Sequence, residues 1–121
     1  MHGLTYSSHE FDVNYADYSL VRYLAARGFA VWTFDVAGYG ESQEVEDGFM
    51  PNSDYAAEDA AAAAAEILKV SGQKKLDVLG WSWGTVTSSR FVARHPEMVK
   101  KLVLYAPIMV GLGAAEVKVP F

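Results

Sequence analysis

A serine between two glycines is the residue of this sequence best placed to do chemistry, in the run Gly80-Trp81-Ser82-Trp83-Gly84. A serine hydroxyl becomes a nucleophile when a base takes its proton and a hydrogen-bond donor stabilises the charge that develops on the substrate. A G-x-S-x-G turn between a strand and a helix presents the hydroxyl above the sheet, and the helix N-terminus supplies free N–H groups. The pattern therefore predicts Ser82 as a nucleophile and the Trp83 amide as an oxyanion donor.

The residues on either side of this serine turn (residues 80–84) have the patterns that the chemistry requires. The run Leu76-Asp77-Val78-Leu79 predicts a strand that enters the turn directly. Residues 85–94 predict a helix that ends at His95, since Pro96 disfavours helical geometry at the residue before it. The structural alternative is an ordinary tight turn into a helix, in which the two tryptophans only pack.

Helices and strands are predicted to alternate along the chain, as helix 17–27, strand 29–34, helix 53–71, strand 76–79, helix 85–94 and strand 102–105. Alternation of this kind indicates an α/β fold with parallel strands, right-handed crossovers and helices on both faces of the sheet. In such sheets binding groups collect beyond the carboxyl ends of the strands, where Asp35, Ser82 and Pro107 all fall.

A row of six alanines, residues 60–65, lies at the centre of the long helix predicted at 53–71. Either Ser53 or Asp54 is suited to cap this helix, and Gly72 is suited to end it. The row is open to two interpretations: low-complexity sequence with high helix propensity, or a helix whose small side chains permit close packing on a sheet. We favour close packing, because Tyr55, Ile67 and Leu68 supply an apolar side.

Composition and charge exclude several other functions. A chain of 121 residues with 51% hydrophobic residues fits one small domain, and its net charge of −5 and scattered basic residues do not suit nucleic acid. The longest apolar run, 102–115, is interrupted by Pro107 and is too short to span a bilayer. Neither a P-loop nor a metal-binding pattern occurs, so no cofactor is expected. No signal-peptide pattern opens the chain, which favours a cytoplasmic location.

Four landmarks of this sequence resemble the α/β-hydrolase family in the right order: His2-Gly3, Asp35-Val36-Ala37-Gly38-Tyr39-Gly40-Glu41-Ser42, the serine turn, and Leu102-Val103-Leu104-Tyr105-Ala106-Pro107. The resemblance implies a three-layer fold that runs from near the end of the family's third strand to just past its sixth. It assigns the second oxyanion donor to the Leu4 amide and a structural role to Asp35. It also implies one partial core domain over 1–121, without the first strands and the last two strands, in which 115–121 begin the lid region or a linker.

The histidines give no base for this chemistry. His95 lies thirteen residues after Ser82 along a helix, on the order of 20 Å away. His2 belongs to the family's oxyanion turn and is expected to be structural, whereas His9 is expected to be a solvated surface residue. The family places an acid and then a histidine after the serine, but residues 107–121 contain one carboxylate, Glu116, and no histidine.

The sequence is therefore interpreted as a fragment of a serine hydrolase that cleaves an ester or related acyl substrate through an acyl-serine intermediate. We expect it to be inactive alone, with a small-molecule acyl substrate and complementary segments of its parent protein as its partners. Serine at position 82, where other branches of the family use aspartate, argues against epoxide hydrolysis and dehalogenation. The alternative is a non-catalytic α/β module that binds a partner or a small apolar ligand.

Overall fold

The computed structural model describes residues 1–47 and 51–108. Its main elements are α1 (Leu20–Ala25), α2 (Ser53–Ser71), β1 (Leu76–Trp81), α3 (Trp83–Arg94) and β2 (Val99–Tyr105), with short 3₁₀ helices at Ser8–Phe11 and Pro96–Met98. Strands and helices alternate from α2 onwards, so the predicted α/β class is confirmed. The segment 115–121, predicted to begin a lid or linker, lies outside the described residues, and the single-domain prediction remains a prediction.

Helix α2 is capped by a side chain at its N-terminus and ended by a glycine at its C-terminus. The Asn52 side chain caps it by accepting hydrogen bonds from the N–H groups of Asp54 and Tyr55, each at 3.0 Å. The prediction of Ser53 or Asp54 as the cap is therefore wrong by one or two residues. Gly72 ends the helix with a φ of 68°, a left-handed conformation that costs glycine little.

The alanine-rich face of α2 forms the main core with α3. Alanines at helical spacing are buried there against Phe91 and Val99: Ala57, Ala60, Ala61 and Ala64. Phe34, Leu76 and Val78 pack against the same cluster. The prediction that the small side chains permit close packing is confirmed, but the predicted partner is wrong, because α2 packs mainly on α3 and not on the sheet.

The two strands pair in parallel, with α3 as the crossover between them. Gly80 lies opposite Leu104, and Trp81 lies opposite Tyr105. One face of this sheet packs on α3. On the other face, Leu79, Trp81, Val103 and Tyr105 line an apolar groove of about 480 Å³, with Glu10, Phe11 and Leu20 as its remaining wall.

The strand predicted at 29–34 does not form. Helix α1 ends at Ala25, earlier than predicted, and residues 29–36 then run without assigned secondary structure. A strand requires a neighbour to complete its hydrogen-bonded ladder. Among the described residues, no backbone hydrogen bond joins residues 30–35 to another strand. On the side of β1 away from β2, Met1 makes two strand-like hydrogen bonds: its nitrogen donates to the Leu79 carbonyl at 2.7 Å, and its carbonyl accepts from the Trp81 N–H at 3.2 Å.

Candidate active site

Ser82 lies on a tight turn between β1 and α3, as predicted. Its φ of 53° and ψ of −119° are rare for a residue with a side chain. The turn is held from both sides: the Ser82 N–H donates to the Tyr105 carbonyl at 3.0 Å, and the Ser82 carbonyl accepts from the Thr85 N–H at 2.9 Å and the Thr85 hydroxyl at 2.5 Å. Contacts with β2 and α3 therefore maintain the backbone strain at this serine.

The two glycines of the serine turn permit close backbone contacts. A Cβ at position 80 would overlap the Gly84 carbonyl and the Ser88 hydroxyl. At position 84 it would overlap the carbonyl oxygens of Met1 and His2. Glycine is therefore required at both positions. At position 80 it lets the first turn of α3 pack closely against the end of β1, and at position 84 it lets the N-terminal segment approach α3.

The second predicted part of the site, the His–Gly turn (residues 2–4), lies directly against Ser82. Gly3 is buried, and a Cβ built on it would lie 3.7 Å from the Ser82 Cβ. Leu4 is the next residue, so its amide belongs to the same neighbourhood. The structure thus brings together two segments that are 78 residues apart in the chain, because Met1 pairs with Leu79 on β1.

His2 is buried and both of its ring nitrogens are engaged. Nε2 accepts a hydrogen bond from the Val36 N–H at 3.2 Å, so Nδ1 carries the proton and donates to the Gly3 carbonyl at 2.9 Å. The ring also contacts Tyr39, with centroids 4.8 Å apart. Burial lowers the pKa of His2. A neutral ring with both nitrogens occupied cannot serve as a base for Ser82, and its role is structural.

Two backbone N–H groups beside Ser82 remain uncommitted. Among the described residues, neither the Leu4 amide nor the Trp83 amide donates to another protein group. Trp83 is the first residue of α3, where an amide has no partner within its own helix and the helix dipole is positive. These two N–H groups can donate hydrogen bonds to a negatively charged oxygen.

Asp35 organises the loop between residues 35 and 42. Its carboxylate accepts from the Ser8 N–H at 2.6 Å and the Glu41 N–H at 3.0 Å. Its carbonyl accepts from the Ser42 hydroxyl at 2.5 Å. Burial alone would raise the pKa of Asp35, but the two N–H donors outweigh it and hold the pKa below its ordinary value. Asp35 is thus fully used in holding the loop, in keeping with its predicted structural role.

The other two histidines lie away from any reaction centre at Ser82. His9 is 68% exposed and lies 3.4 Å from a Glu41 oxygen, as expected of a surface residue. His95 follows the last residue of α3, at the opposite end of that helix from Ser82, and lies 3.5 Å from Glu97. All three histidines of the sequence fall within the described residues, and none of them hydrogen-bonds to Ser82.

Sequence reasoning missed Glu10, which reaches this site from the segment around His9. The segment forms the 3₁₀ helix Ser8–Phe11, with Ser7 as its cap. Glu10 Oε1 accepts a hydrogen bond from the Gly3 N–H at 2.9 Å. Burial raises the pKa of this carboxyl. The three-residue spacing of Ser7 and Glu10 is typical of a helix cap, but nothing local indicates that the carboxylate turns back to Gly3.

The described part of the chain contains neither a metal-binding cluster nor a membrane-spanning helix. Residues 1–47 and 51–108 contain no group of three or more His, Asp or Glu side chains that could hold a metal ion. Within the same ranges, no helix has the length and apolar character needed to cross a membrane.

The sequence is similar to a protein family and to a human protein. A family model described as the alpha/beta hydrolase fold matches residues 1–118. The chain is also similar to the human serine hydrolase BPHL, with 32% identity over 77 residues. That match covers 64% of this chain and 25% of the length of the human protein.

Proposed function

Since this chain belongs to the α/β-hydrolase fold family, we propose that Ser82 is the nucleophile of a serine hydrolase that cleaves an ester or related acyl substrate. The observation that carries the proposal is the position of Ser82. It stands at positive φ between β1 and α3, beside two amides without a partner among the described residues. A strained serine at the start of a helix is hard to explain as packing, because glycine would adopt this backbone at lower cost.

In the proposed reaction, a base takes the proton of the Ser82 hydroxyl as the Ser82 oxygen attacks the carbonyl carbon of the substrate. The carbonyl oxygen then becomes an oxyanion that accepts hydrogen bonds from the Leu4 and Trp83 amides. Collapse of this intermediate breaks the bond to the alkoxy group, which takes that proton from the base and leaves as the alcohol. An acyl-Ser82 ester remains. Water hydrolyses the ester and restores the serine.

None of the three histidines, all of which lie within the described residues, is placed to accept a proton from Ser82. His2 has both nitrogens engaged, and His9 and His95 lie on the surface or at the far end of α3. We therefore propose that the chain supplies the nucleophile and the oxyanion donors, while complementary segments of a longer protein supply the histidine and the acid. By itself the chain is proposed to be nearly inactive.

The second candidate function is a non-catalytic module that binds an apolar ligand or partner. It draws on the apolar groove of about 480 Å³ beside the exposed face of the sheet, where Val103 and Tyr105 are 50% and 66% exposed. This reading makes no use of the Ser82 hydroxyl, so chemical labelling of that hydroxyl separates the two functions.

The test is acylation by p-nitrophenyl acetate and labelling by a fluorophosphonate, each read by mass spectrometry of the intact and digested chain. We expect slow modification at Ser82, roughly 10⁶-fold below the rate of an intact triad. The modification should vanish in Ser82→Ala and persist in Ser89→Ala, which removes an exposed serine of the same helix. A longer protein that contains this sequence should label rapidly at Ser82. Modification that is unchanged in Ser82→Ala would refute the proposal.

A further inference from the structure

We propose that Glu10 is a positioning residue, whose side chain fixes the His–Gly turn so that the Leu4 N–H faces Ser82. The inference rests on the proposed function, in which that amide binds the oxyanion. Glu10 does not touch the substrate in this scheme. It acts through Gly3, seven residues earlier in the chain, by accepting the Gly3 N–H at 2.9 Å.

The direction of the Leu4 N–H depends on the backbone of Gly3. Because a peptide group is planar and trans, the Leu4 N–H points away from the Gly3 carbonyl. Rotation about the two soft dihedrals of Gly3 would turn both groups, and glycine restrains these rotations less than any other residue. An oxyanion donor built on this peptide therefore requires external anchors.

Two side chains supply those anchors, one on each peptide group of Gly3. Glu10 binds the N–H of the peptide that precedes Gly3, and His2 Nδ1–H binds the carbonyl of the peptide that follows it, at 2.9 Å. The Tyr6 N–H also approaches that carbonyl, at 3.4 Å. With both planes held, φ and ψ of Gly3 are determined, and the Leu4 amide is left without an acceptor among the described residues.

Glu10 is itself well placed to act as an anchor. It lies on the 3₁₀ helix Ser8–Phe11, and Ser8 at the start of that helix is tied to the Asp35 carboxylate at 2.6 Å. Its second oxygen, Oε2, is buried with no partner among the described residues. A carboxylate oxygen buried without a partner costs stability, and the hydrogen bond of Oε1 to the Gly3 N–H offsets part of that cost.

Two variants separate the hydrogen bond from the charge. Glu10→Gln keeps an oxygen that can accept the Gly3 N–H, whereas Glu10→Ala removes it. Glu44→Gln is the control, because it neutralises an exposed glutamate that does not contact the His–Gly turn.

The first readout is the ¹H–¹⁵N spectrum of the full chain between pH 4 and pH 8. His2 and the Met1 α-amino group titrate near the same turn, so the decisive quantity is the difference between wild type and variant. We expect the Gly3 amide proton to follow the Glu10 carboxyl in wild type and in Glu44→Gln. That titration should disappear in Glu10→Gln without a shift of Leu4, while Glu10→Ala should shift Leu4 as well. The inference would be overturned if the wild-type Gly3 amide proton did not follow the Glu10 carboxyl. It would also be overturned if the Leu4 amide resonance did not shift in Glu10→Ala.

The second readout is the rate of Ser82 acetylation by p-nitrophenyl acetate. Loss of one oxyanion donor costs about 10²–10³-fold in rate, so a misplaced donor should cost at least about tenfold in Glu10→Ala. Glu10→Gln should stay within about twofold of wild type. An equal loss in both variants would contradict positioning through the hydrogen bond. If the chain is acetylated at an unchanged rate in Ser82→Ala, the proposed function is refuted. The titration of the Gly3 amide proton would still decide the role of Glu10.

Discussion

Ser82 has a strained backbone conformation, and contacts with neighbouring residues must offset its cost. A non-glycine residue in such a region costs of the order of 1–3 kcal/mol. Hydrogen bonds from Thr85 to the Ser82 carbonyl and from the Ser82 N–H to Tyr105 hold it there. Gly80 and Gly84 contribute because they have no side chain. A methyl group at either position would separate the segments that meet at the serine.

Gly84→Ala should therefore loosen the site as well as the fold. The added Cβ would push against the carbonyl oxygens of Met1 and His2, and overpacking of this kind costs about 1–3 kcal/mol. Gly3→Ala is the matched control, because its Cβ would have ordinary contacts of 3.6 Å or more with Trp81 and Ser82. The urea midpoints of the two variants measure the difference. Equal midpoints would show that the N-terminal segment does not pack on Gly84.

His2 should make stability depend on pH. Burial lowers its pKa, so the folded state binds a proton less readily than the unfolded state, where the pKa is about 6.5. The neutral ring stabilises the fold fully above that value, and the contribution is lost as the pH falls through 6.5 toward the folded pKa. The slope for one proton is at most about 1.4 kcal/mol per pH unit.

The measurement is urea unfolding at pH 7.5 and pH 5.5 for wild type and His2→Gln. We expect wild type to lose more stability between the two pH values than the variant does. The raised pKa of Glu10 acts in the opposite direction in both proteins and cancels in the comparison. A variant with the same pH dependence as wild type would show that the ring is not held neutral.

At the scale of elements, the close contact of α2 with α3 organises the core. Small side chains on one face of α2 let Phe91 of α3 reach full burial, with 2% of its surface exposed. Arginine–carboxylate pairs also join the two helices on their outer side, through Arg90 and Arg94 to Asp54 and Glu58. Pairs that are this exposed to solvent contribute little, so the alanine face carries the packing.

Ala60→Leu should destabilise the chain, whereas Ala62→Leu should not. Ala60 is 4% exposed against α3, so a larger side chain there has to displace neighbours at a cost of about 1–3 kcal/mol. Ala62 is on the exposed side of the same helix, and leucine is nearly as good a helix former as alanine. Chemical unfolding followed by circular dichroism measures both. A destabilisation by Ala62→Leu as large as that by Ala60→Leu would contradict the packing.

The whole molecule leaves large apolar side chains in contact with solvent. Phe29, Trp32, Val103 and Tyr105 are each at least 50% exposed. The sheet consists of two strands among the described residues, and isolated two-stranded sheets are marginal in water unless a helix covers them. One face is covered by α3, and the other presents the apolar groove, which favours association with other chains.

The chain alone should therefore be marginally folded and a poor hydrolase. We expect a broad thermal melt, self-association in sedimentation, and p-nitrophenyl acetate turnover roughly 10⁶-fold below that of an intact triad. Val103→Lys should reduce the association, because it places a charge on the exposed sheet face. Val70→Lys, at a 62% exposed position on α2, is the control and should have no such effect.

Two results would contradict this view of the chain. A cooperative melt would show that the two-stranded sheet is sufficient for a stable fold. Robust turnover that is lost in Ser82→Ala would mean that the chain itself contains a base for Ser82.

Features set by short stretches of sequence were predictable from the sequence alone. The serine turn follows from a strand pattern, two glycines and a helix pattern within about twenty residues, and α2 follows from its alanines and Gly72. The structural use of Asp35 followed from the family resemblance, and the structure confirms it through the N–H groups of Ser8 and Glu41. The roles of Ser82, Leu4 and Trp83 in catalysis stay predictions.

The tertiary structure decided what depends on partners far apart in the chain. Residues 29–34 have strand propensity, yet they form no strand because a ladder needs hydrogen bonds from a neighbour that the described residues do not supply. The proton of His2 is placed on Nδ1 by the N–H of Val36, 34 residues away. The hold of Glu10 on Gly3 arises only once the chain folds back on itself. Propensity acts between neighbours in sequence, whereas hydrogen-bond partners and burial are set by the packed chain.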